Sequence, residues 1–373
     1  MKEISLYVHI PFCLQKCNYC NFYSLPYNSD LANDYLAALI KELSEYRNEG
    51  YSVNSIYLGG GTPSLLTFYQ LVPLITAIGR TFHIDENAEI TIEANPATIT
   101  REKAQDWKTL GFNRVSIGAQ SFNDNELSVL GRLHSADEIG HAVRLVKEHF
   151  TENVSLDLMY GIPQQSFISW QKSLRLALEL KPTHLSSYCL SLERGTPLFT
   201  SQKKYTFPSE KQQRGMYYMM KSIMEKNGFI HYEISNFCLP GYLSRHNDSY
   251  WLGNEYIGLG AAAHSFIDME RIEKLTDASC YISKINNNQS VIKSKKCISF
   301  REYISDCIFL GLRRLEGIDL THFKKKHGFN ILNEYKHEMD RYLKTGYLTV
   351  DNNHLKLTRK ALFISDEILS EFV

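Results

Sequence analysis

Six short apolar segments alternate with helical patterns over the first half of this chain. The segments cover residues 6–10, 55–58, 89–93, 114–118, 154–159 and 184–190. Such alternation with short links is typical of a parallel sheet with helices outside it. Six units are too few to close an eight-stranded barrel. We therefore predict an α/β fold, a partial and laterally open (β/α)6 TIM-type barrel over residues 1–208. A doubly wound open sheet has the same periodicity and is the alternative.

The pattern changes after residue 208. Residues 209–298 combine a helical pattern at 209–227 with strand-like runs at 231–234 and 250–252. Residues 299–373 show helical patterns at 301–312, 320–326 and 331–345, strand-like runs at 347–350 and 354–357, and a final helix from 358. We predict a connecting α/β region (209–298) and a winged-helix-like C-terminal domain (299–373) that acts as a docking or lid module.

The charge balance argues against nucleic-acid binding. The 373 residues include 41 Lys and Arg and 41 Asp and Glu, so the net charge is zero, whereas nucleic-acid-binding chains carry a basic field. No run reaches the ~18–20 apolar residues that cross a bilayer, and the N-terminus has no signal-peptide core. We expect a cytoplasmic protein whose cysteines stay reduced.

Three of the eight cysteines lie within eight residues, directly after the first apolar segment. Cys13, Cys17 and Cys20 follow the spacing C-x3-C-x2-C, and the next cysteine is Cys189. Three thiolates can each bind a different iron of a [4Fe–4S] cube, which usually takes four cysteines. One iron then stays open to a small molecule, such as S-adenosylmethionine. A zinc site or buried thiols are the alternatives, although zinc sites more often add a second C-x2-C pair or two histidines.

Glycines and polar residues at the strand ends could contact S-adenosylmethionine. The turn at 59–63, Gly-Gly-Gly-Thr-Pro, allows close approach of a ligand because glycine has no Cβ. A tight strand-to-helix turn explains it equally well. Glu93 could accept from the ribose or the amine, and Arg132 could pair with the carboxylate. Further polar candidates on the same barrel face are Tyr7, Gln120 and Asp157.

Six motifs follow one another along the chain. They are Tyr-Val-His-Ile-Pro-Phe-Cys (7–13), Gly-Gly-Gly-Thr-Pro (59–63), Glu-Ala-Asn-Pro (93–96), Ser-Ile-Gly-Ala-Gln-Ser-Phe (116–122), Leu-Gly-Arg-Leu-His (130–134) and Asp-Leu-Met-Tyr-Gly-Ile-Pro (157–163). In these motifs the chain resembles the radical SAM superfamily and, within it, the oxygen-independent coproporphyrinogen III oxidase family. The resemblance implies that Cys13, Cys17 and Cys20 hold a [4Fe–4S] cluster. It also implies an S-adenosylmethionine site lined by Tyr7, Gly60, Gly61, Thr62, Glu93, Gln120, Arg132 and Asp157.

Two features separate the chain from the oxidase branch of that family. The oxidase has a further cysteine two residues after the third ligand, where this chain has Phe22. It also has a long extension before the cluster, whereas only twelve residues precede Cys13. The chain is similar instead to the heme chaperone branch in length, in Cys-Asn-Phe-Tyr-Ser (20–24) and in the signature His-Asn-x-x-Tyr-Trp at 246–251. The resemblance thus implies a carrier without decarboxylase activity.

His246 is a candidate heme contact on chemical grounds. Imidazole is a good axial ligand of heme iron, and rings such as Tyr250 and Trp251 can cover a porphyrin face. A hydrogen-bonded histidine at a domain junction is the alternative. His264 is a second candidate.

Two functions follow from this resemblance. The first is a heme chaperone that hands heme to client hemoproteins, with the cluster and S-adenosylmethionine regulating or priming transfer. The alternative is an oxidase in which a 5′-deoxyadenosyl radical abstracts hydrogen from a porphyrinogen propionate and carbon dioxide is released. The predicted partners are heme or porphyrin and client hemoproteins, without nucleic acid. Weak membrane-surface association and a homodimer are further predictions.

Overall fold

The computed structural model describes residues 1–372, and at its centre are six parallel strands. They are β1 (Lys2–Ile10), β2 (Tyr51–Gly60), β3 (His83–Ala94), β4 (Arg114–Gln120), β5 (Val154–Tyr160) and β6 (His184–Cys189). Each overlaps a predicted segment and pairs in parallel with the next. The six strands lie side by side in the same order as in the chain. Right-handed crossovers between such strands place every connecting helix on the same face of the sheet. The partial barrel is confirmed, and the doubly wound alternative, whose strand order reverses, is wrong.

The crossover helices form because the sequence caps them and gives each an apolar face. They are α1 (Ser29–Leu43), α2 (Phe68–Thr81), α3 (Arg101–Thr109), α4 (Asp124–Leu130), α5 (Ala136–His149) and α6 (Phe167–Glu179). Thr67 and Gln70 form a capping box at α2, and Ser135 and Glu138 form one at α5. Such boxes satisfy N–H groups that lack a partner within the helix. The helices are therefore largely predictable from local sequence.

Strands from beyond residue 208 extend the sheet at both edges. They are β7 (Ile230–Glu233), β8 (Asn236–Cys238), β9 (Tyr256–Leu259), β10 (His264–Ile267), β11 (Glu270–Lys274) and β12 (Ile292–Cys297). β8 and β7 continue antiparallel beyond β6, whereas β9 lies parallel to β1 and leads to the antiparallel β10, β11 and β12. All twelve strands form one sheet. The domain boundaries at 208 and 298 stay predictions.

Further helices lie between β6 and β12, and one of them corrects a prediction. The helices are α7 (Pro197–Thr200), α8 (Glu210–Lys226), α9 (Arg245–Trp251) and α10 (Ala278–Asn286). The strand predicted at 250–252 is wrong, because Tyr250 and Trp251 end α9. Tyr and Trp favour strands, but Ser244 caps this helix by accepting from Asn247 N. The cap and the tertiary packing override the intrinsic preference.

The C-terminal region has the predicted helices and hairpin. Its elements are α11 (Phe300–Gly311), α12 (Leu320–His327), α13 (Ile331–Glu334), α14 (Lys336–Lys344), β13 (Leu348–Asp351), β14 (His354–Leu357) and α15 (Ser365–Leu369). The third predicted helix is interrupted at Tyr335, and a 3-10 segment (Arg359–Ile364) precedes α15. Arg314 Nε lies 2.9 Å from Asp248 Oδ1 and ties this region to α9. Within residues 1–372, no helix is long and apolar enough to cross a membrane.

Candidate functional site

The three clustered cysteines lie on a loop that is held at both ends. Directly after β1, the short strand Phe12–Cys13 pairs in parallel with Leu25–Pro26. Asn18 N donates to the Leu130 carbonyl at 2.9 Å and fixes the middle of the loop to the end of α4. All three thiols are free and half-buried. The fold therefore presents them on a short segment whose backbone is already restrained.

Two predicted site residues contact the thiols. Thr62 Oγ1 donates to Cys13 Sγ at 3.6 Å, and Arg132 Nη1 donates to Cys17 Sγ at 3.3 Å. Arg132 Nη2 donates to the Gly118 carbonyl at 2.6 Å. Arg132 Nε is buried without a hydrogen-bond partner among the described residues. A neighbouring cation stabilises thiolates, which are the form that binds metal.

These residues fit an iron–sulfur cube better than a single metal ion. Within residues 1–372, no three His, Cys, Asp or Glu side chains converge on one metal-ion position. A cube needs no such convergence, since each thiolate binds its own iron atom. The donor set is three thiols beside a buried guanidinium with a spare N–H, which suits an anionic group. A structural zinc site needs four ligands around one point, whereas this loop supplies three thiols.

The glycine-rich turn after β2 packs against the start of the cysteine loop. Gly61 N donates to the Ile10 carbonyl at 2.8 Å, and Thr62 N donates to the Phe12 carbonyl at 2.7 Å. A Cβ on Gly61 would lie 2.6 Å from the Phe12 oxygen, and Gly60 has a φ of +108°. The glycines thus have a packing reason, as the tight-turn alternative supposed. Ligand contacts of Gly60 and Gly61 stay predictions.

Gly61→Ala will destabilise the protein and reduce its iron content after anaerobic reconstitution. The added methyl overlaps the Phe12 carbonyl, and overpacking of this kind costs about 1–3 kcal/mol. Gly79→Ala is the matched control, because a Cβ at this exposed position in α2 has nothing within 4 Å. Thermal denaturation and iron analysis measure the two effects. Equal results for both variants would contradict the proposed packing role.

Glu93 joins Tyr57 and the glycine turn into one buried polar group. Its Oε1 accepts from Tyr57 OH at 2.8 Å, and its Oε2 accepts from Gly60 N at 3.1 Å. Burial raises the pKa of Glu93 to about 7, and the Asp157 carboxylate adds to the shift. Tyr57 stacks on Tyr7 with 6.3 Å between ring centroids. Tyr57 is a site residue that no sequence motif indicated, although its period-two spacing from the glycine turn could have done so.

The remaining candidates lie on β1, β4 and β5. Gln120 ends β4 with a φ of +63°, which is uncommon for a residue with a Cβ and often occurs at functional sites. Asp157 accepts from Ser116 Oγ at 3.0 Å, and burial raises the pKa of Asp157. Tyr7 OH lies 3.0 Å from His9 Nδ1. Asp157 is thus satisfied within the sheet. The S-adenosylmethionine contacts of these residues stay predictions.

A cavity of about 660 Å³ lies where β1, β9 and β10 meet α9 and α11. Its wall is mainly aromatic and includes Tyr23, Tyr250, Trp251, Tyr256, Phe266 and Tyr303. Ligand pockets commonly measure about 300–1,000 Å³ and are lined by such side chains. Phe22 also lines the cavity. Because Phe22 and Tyr23 belong to the cysteine loop, the loop and the cavity share a wall.

The two histidine candidates have different surroundings. His246 is 1% exposed, its Nδ1 lies 3.0 Å from Ser55 Oγ, and its Nε2 lies 2.9 Å from Tyr250 OH. Burial lowers the pKa of His246 to about 3, so its ring is neutral. His264 is exposed and lines the cavity. The structure therefore gives His246 the surroundings of the hydrogen-bonded alternative, and its heme contact stays a prediction.

Family models match both ends of the chain. A model described as the Radical SAM superfamily matches residues 7–177. A second model, described as the HemN C-terminal domain, matches residues 298–364. The solved structure of coproporphyrinogen III oxidase (HemN) from Escherichia coli, a radical SAM enzyme, aligns with a TM-score of 0.86 at 22% identity and covers 100% of this chain and 90% of that chain. That likeness shows the fold.

Three curated relatives align over nearly their full length. Heme chaperone HemW of Lactococcus lactis subsp. lactis is 32% identical over 374 residues, which cover 100% of this chain and 98% of the relative. Heme chaperone HemW of Bacillus subtilis is also 32% identical over 374 residues, with 99% of each chain covered. Heme chaperone HemW of Escherichia coli is 31% identical over 376 residues, with 100% and 99% covered.

Proposed function

Because this chain belongs to the HemW family of heme chaperones within the radical SAM superfamily, we propose that it binds heme and transfers it to client hemoproteins. The observation that carries the proposal is the aromatic cavity of about 660 Å³ beside the cysteine loop. A [4Fe–4S] cluster and S-adenosylmethionine accompany the radical SAM fold. Heme as cargo follows from the relatives and from the chemistry of the cavity.

The cavity suits a flat apolar ring. Tyr250 and Trp251, from the signature His-Asn-x-x-Tyr-Trp, lie in its wall. Tyr250 meets Tyr256 edge to face at 4.6 Å between centroids, which leaves a rigid aromatic surface to cover a porphyrin face. Phe22 is 65% exposed although it lines the cavity. This wall therefore reaches the protein surface, where a client can receive heme.

The cluster site and the heme cavity act together in this proposal. Cys13, Cys17 and Cys20 hold the cluster, and Arg132 offsets its negative charge. A bound cluster of this kind supplies one-electron chemistry and one iron with an open coordination position. Phe22 lies two residues after Cys20, the third cysteine of the loop, and also lines the cavity, so it connects the two. We propose that an ordered cysteine loop completes the cavity wall and so primes heme transfer.

S-adenosylmethionine binding will weaken as the pH falls through about 7. We propose that the Glu93 carboxylate accepts from the ammonium group of the ligand. Burial raises the pKa of Glu93 to about 7, so the carboxylate is ionised above that pH and protonated below it. Glu93→Gln will therefore bind weakly at about pH 8 and lose the pH dependence. Calorimetry on anaerobically reconstituted protein at about pH 6 and about pH 8 measures this.

The control for this prediction is Glu86→Gln, an exposed carboxylate on the same strand, β3. This variant will keep the affinity and the pH profile of the wild type. A wild-type profile that is flat across this range would contradict the proposed contact. So would a Glu93→Gln profile that still follows the wild type.

The other predicted partners remain proposals. Weak association with an anionic membrane would use the C-terminal region, where Lys324, Lys325 and Lys326 lie in the last turn of α12. Liposome flotation with anionic lipid tests it, and no flotation would remove it. The homodimer is tested by light scattering on the reconstituted protein.

One experiment separates the chaperone from the oxidase. The anaerobically reconstituted protein is titrated with heme and, in parallel, incubated with a reductant, coproporphyrinogen III and S-adenosylmethionine. We expect saturable heme binding with a Soret band and no protoporphyrinogen. Transfer is then followed by mixing the loaded protein with an apo-hemoprotein and measuring its gain of heme. Robust protoporphyrinogen formation without saturable heme binding would contradict the proposed chaperone function and support the oxidase function.

A further inference from the structure

We propose that His264, rather than His246, donates the imidazole that binds heme iron, and that Arg271 pairs with a heme propionate. The inference rests on the proposed heme binding and assigns its ligands. Heme iron accepts a lone pair from a neutral imidazole nitrogen, and no electron or proton transfer is required. The ligand must therefore reach into the cavity with a nitrogen that is free.

His246 does not meet this requirement. Both of its ring nitrogens are taken, one by Ser55 Oγ and the other by Tyr250 OH. Its ring also stacks on Tyr57 at 5.0 Å between centroids, and the residue is 1% exposed. Binding iron would break a buried hydrogen bond and leave its partner unsatisfied, which costs about 1–3 kcal/mol. His246 is a positioning residue, because it fixes the hydroxyl of Tyr250 in the cavity wall.

His264 stands at the start of β10, on the strand face that lines the cavity. Exposure alternates along this strand: His264 and Phe266 are accessible, whereas Ser265 and Ile267 are buried. His264 and Phe266 therefore point to one side, as the period of two requires, and both line the cavity. Gly258 N lies 2.9 Å from Ser265 Oγ. This bond fixes the backbone beside His264 to β9 and so sets the position of the imidazole.

The other potential iron ligands in the wall are less suitable. His9 is 5% exposed, and its ring nitrogens lie 3.0 Å from Tyr7 OH and 3.3 Å from the Tyr23 carbonyl. Cys307 is buried, and burial raises the pKa of this thiol, so the thiolate that binds iron is disfavoured. The exposed imidazole of His264 is the accessible donor.

Arg271 gives the cavity a charge for the polar edge of heme. Among the described residues that line the cavity, it is the one Arg or Lys side chain. It lies across from Phe266 in the β10–β11 pair and forms an ion pair with Asp306. A guanidinium binds carboxylates through paired N–H groups. A propionate can share or replace Asp306, which orients heme with its apolar edge toward Trp251 and Tyr250.

Ferric heme titration of the full-length, anaerobically reconstituted protein tests the assignment. We expect wild-type protein to show the absorption and electron paramagnetic resonance signature of imidazole-ligated heme. His264→Ala will lose that signature and bind heme about tenfold more weakly, and imidazole added to the buffer will restore the signature. Arg271→Gln will weaken binding but keep the signature. His83→Ala, an exposed histidine on β3, is the matched control and will match the wild type.

His246→Gln separates positioning from ligation. This variant will keep the imidazole signature while its affinity falls, because Tyr250 loses its partner; cluster content and circular dichroism establish that it is folded. An unchanged imidazole signature in His264→Ala would overturn the assignment of His264 as iron ligand. If folded His246→Gln also loses the signature, His246 is the ligand instead. Loss of the heme signature in Cys307→Ser alone would identify the Cys307 thiol as the iron ligand and would likewise overturn the assignment of His264. Absence of saturable heme binding by the wild type would overturn the proposed function, and this inference with it.

Discussion

Replacing Cys13, Cys17 and Cys20 together by alanine will leave the anaerobically reconstituted protein without bound iron and sulfide. These three thiols lie on one loop, where they are free and half-buried, and thiolates are soft ligands that suit iron–sulfur clusters. Thiolates hold iron–sulfur clusters directly, so their removal leaves no replacement ligand. Iron and sulfide analysis, with the visible absorption of the cluster, measures the result. We expect the loss to be complete within the detection limit.

The control for the cluster prediction is replacement of Cys280 and Cys297, two exposed free thiols outside the loop. This pair of changes will leave iron and sulfide at the wild-type level. The triple variant will still fold, because backbone bonds close the loop without the thiols: Leu25 N donates to the Pro11 carbonyl at 2.6 Å. Heme binding by the triple variant will be weaker, since Phe22 lies in the cavity wall. Retention of a full cluster by the triple variant would refute the cofactor assignment.

Glu42→Ala will destabilise the protein by about 3–5 kcal/mol, because it removes the centre of a buried charged network. Glu42, on α1, is 1% exposed. Its carboxylate pairs with Lys274 on β11 and accepts from Gly260 N at 2.9 Å and from Tyr281 OH at 2.6 Å. Without Glu42, three buried donors lose their acceptor. Burial lowers the pKa of Lys274, so its amine can become neutral but remains unsatisfied.

Chemical denaturation of Glu42→Ala measures this effect in the first unfolding transition. The control is Glu49→Ala, an exposed carboxylate shortly after the same helix, and we expect a change within about 0.5 kcal/mol. The double variant Glu42→Leu with Lys274→Met will be more stable than Glu42→Ala, because an apolar pair leaves no buried charge. If the first unfolding transitions of Glu42→Ala and Glu49→Ala have the same free energy, the Glu42 network contributes nothing to the stability of the protein.

The Glu42 network also bears on heme binding. Gly260 precedes Ala262 and Ala263, which line the cavity, and His264 follows them. The carboxylate on α1 therefore fixes the turn between β9 and β10. We expect Glu42→Ala to bind heme more weakly even where it remains folded. No sequence pattern indicated this residue, since a lone Glu on a helix is usually exposed.

The errors in the sequence analysis share a physical cause. At 250–252, strand-favouring side chains form the end of a helix, because Ser244 caps its start and His246 is hydrogen-bonded to Ser55 on the inner strand β2. At Tyr335, a helix predicted as continuous is interrupted. In both places a hydrogen bond to a distant segment, from His246 to Ser55 and from Tyr335 to Ser305, accompanies the departure from local preferences of less than about 1 kcal/mol.

The sequence by itself determined the features that depend on neighbouring residues. The spacing of Cys13, Cys17 and Cys20 places three thiols on one loop, and the alternation of apolar segments with capped helices specifies the parallel barrel. Hydrophobic periodicity and helix caps act over a few residues, so they can be read without coordinates.

Only the tertiary structure decided which histidine is accessible and what surrounds each carboxylate. The sequence favoured His246 through its signature and gave His264 as a second candidate, yet His246 is enclosed between β2 and α9 and His264 faces a cavity. Glu42 and Glu93 likewise acquire their partners from strands far away in the chain. Burial and hydrogen bonding between distant segments set the availability and the protonation of these groups, and both arise only when the sheet assembles.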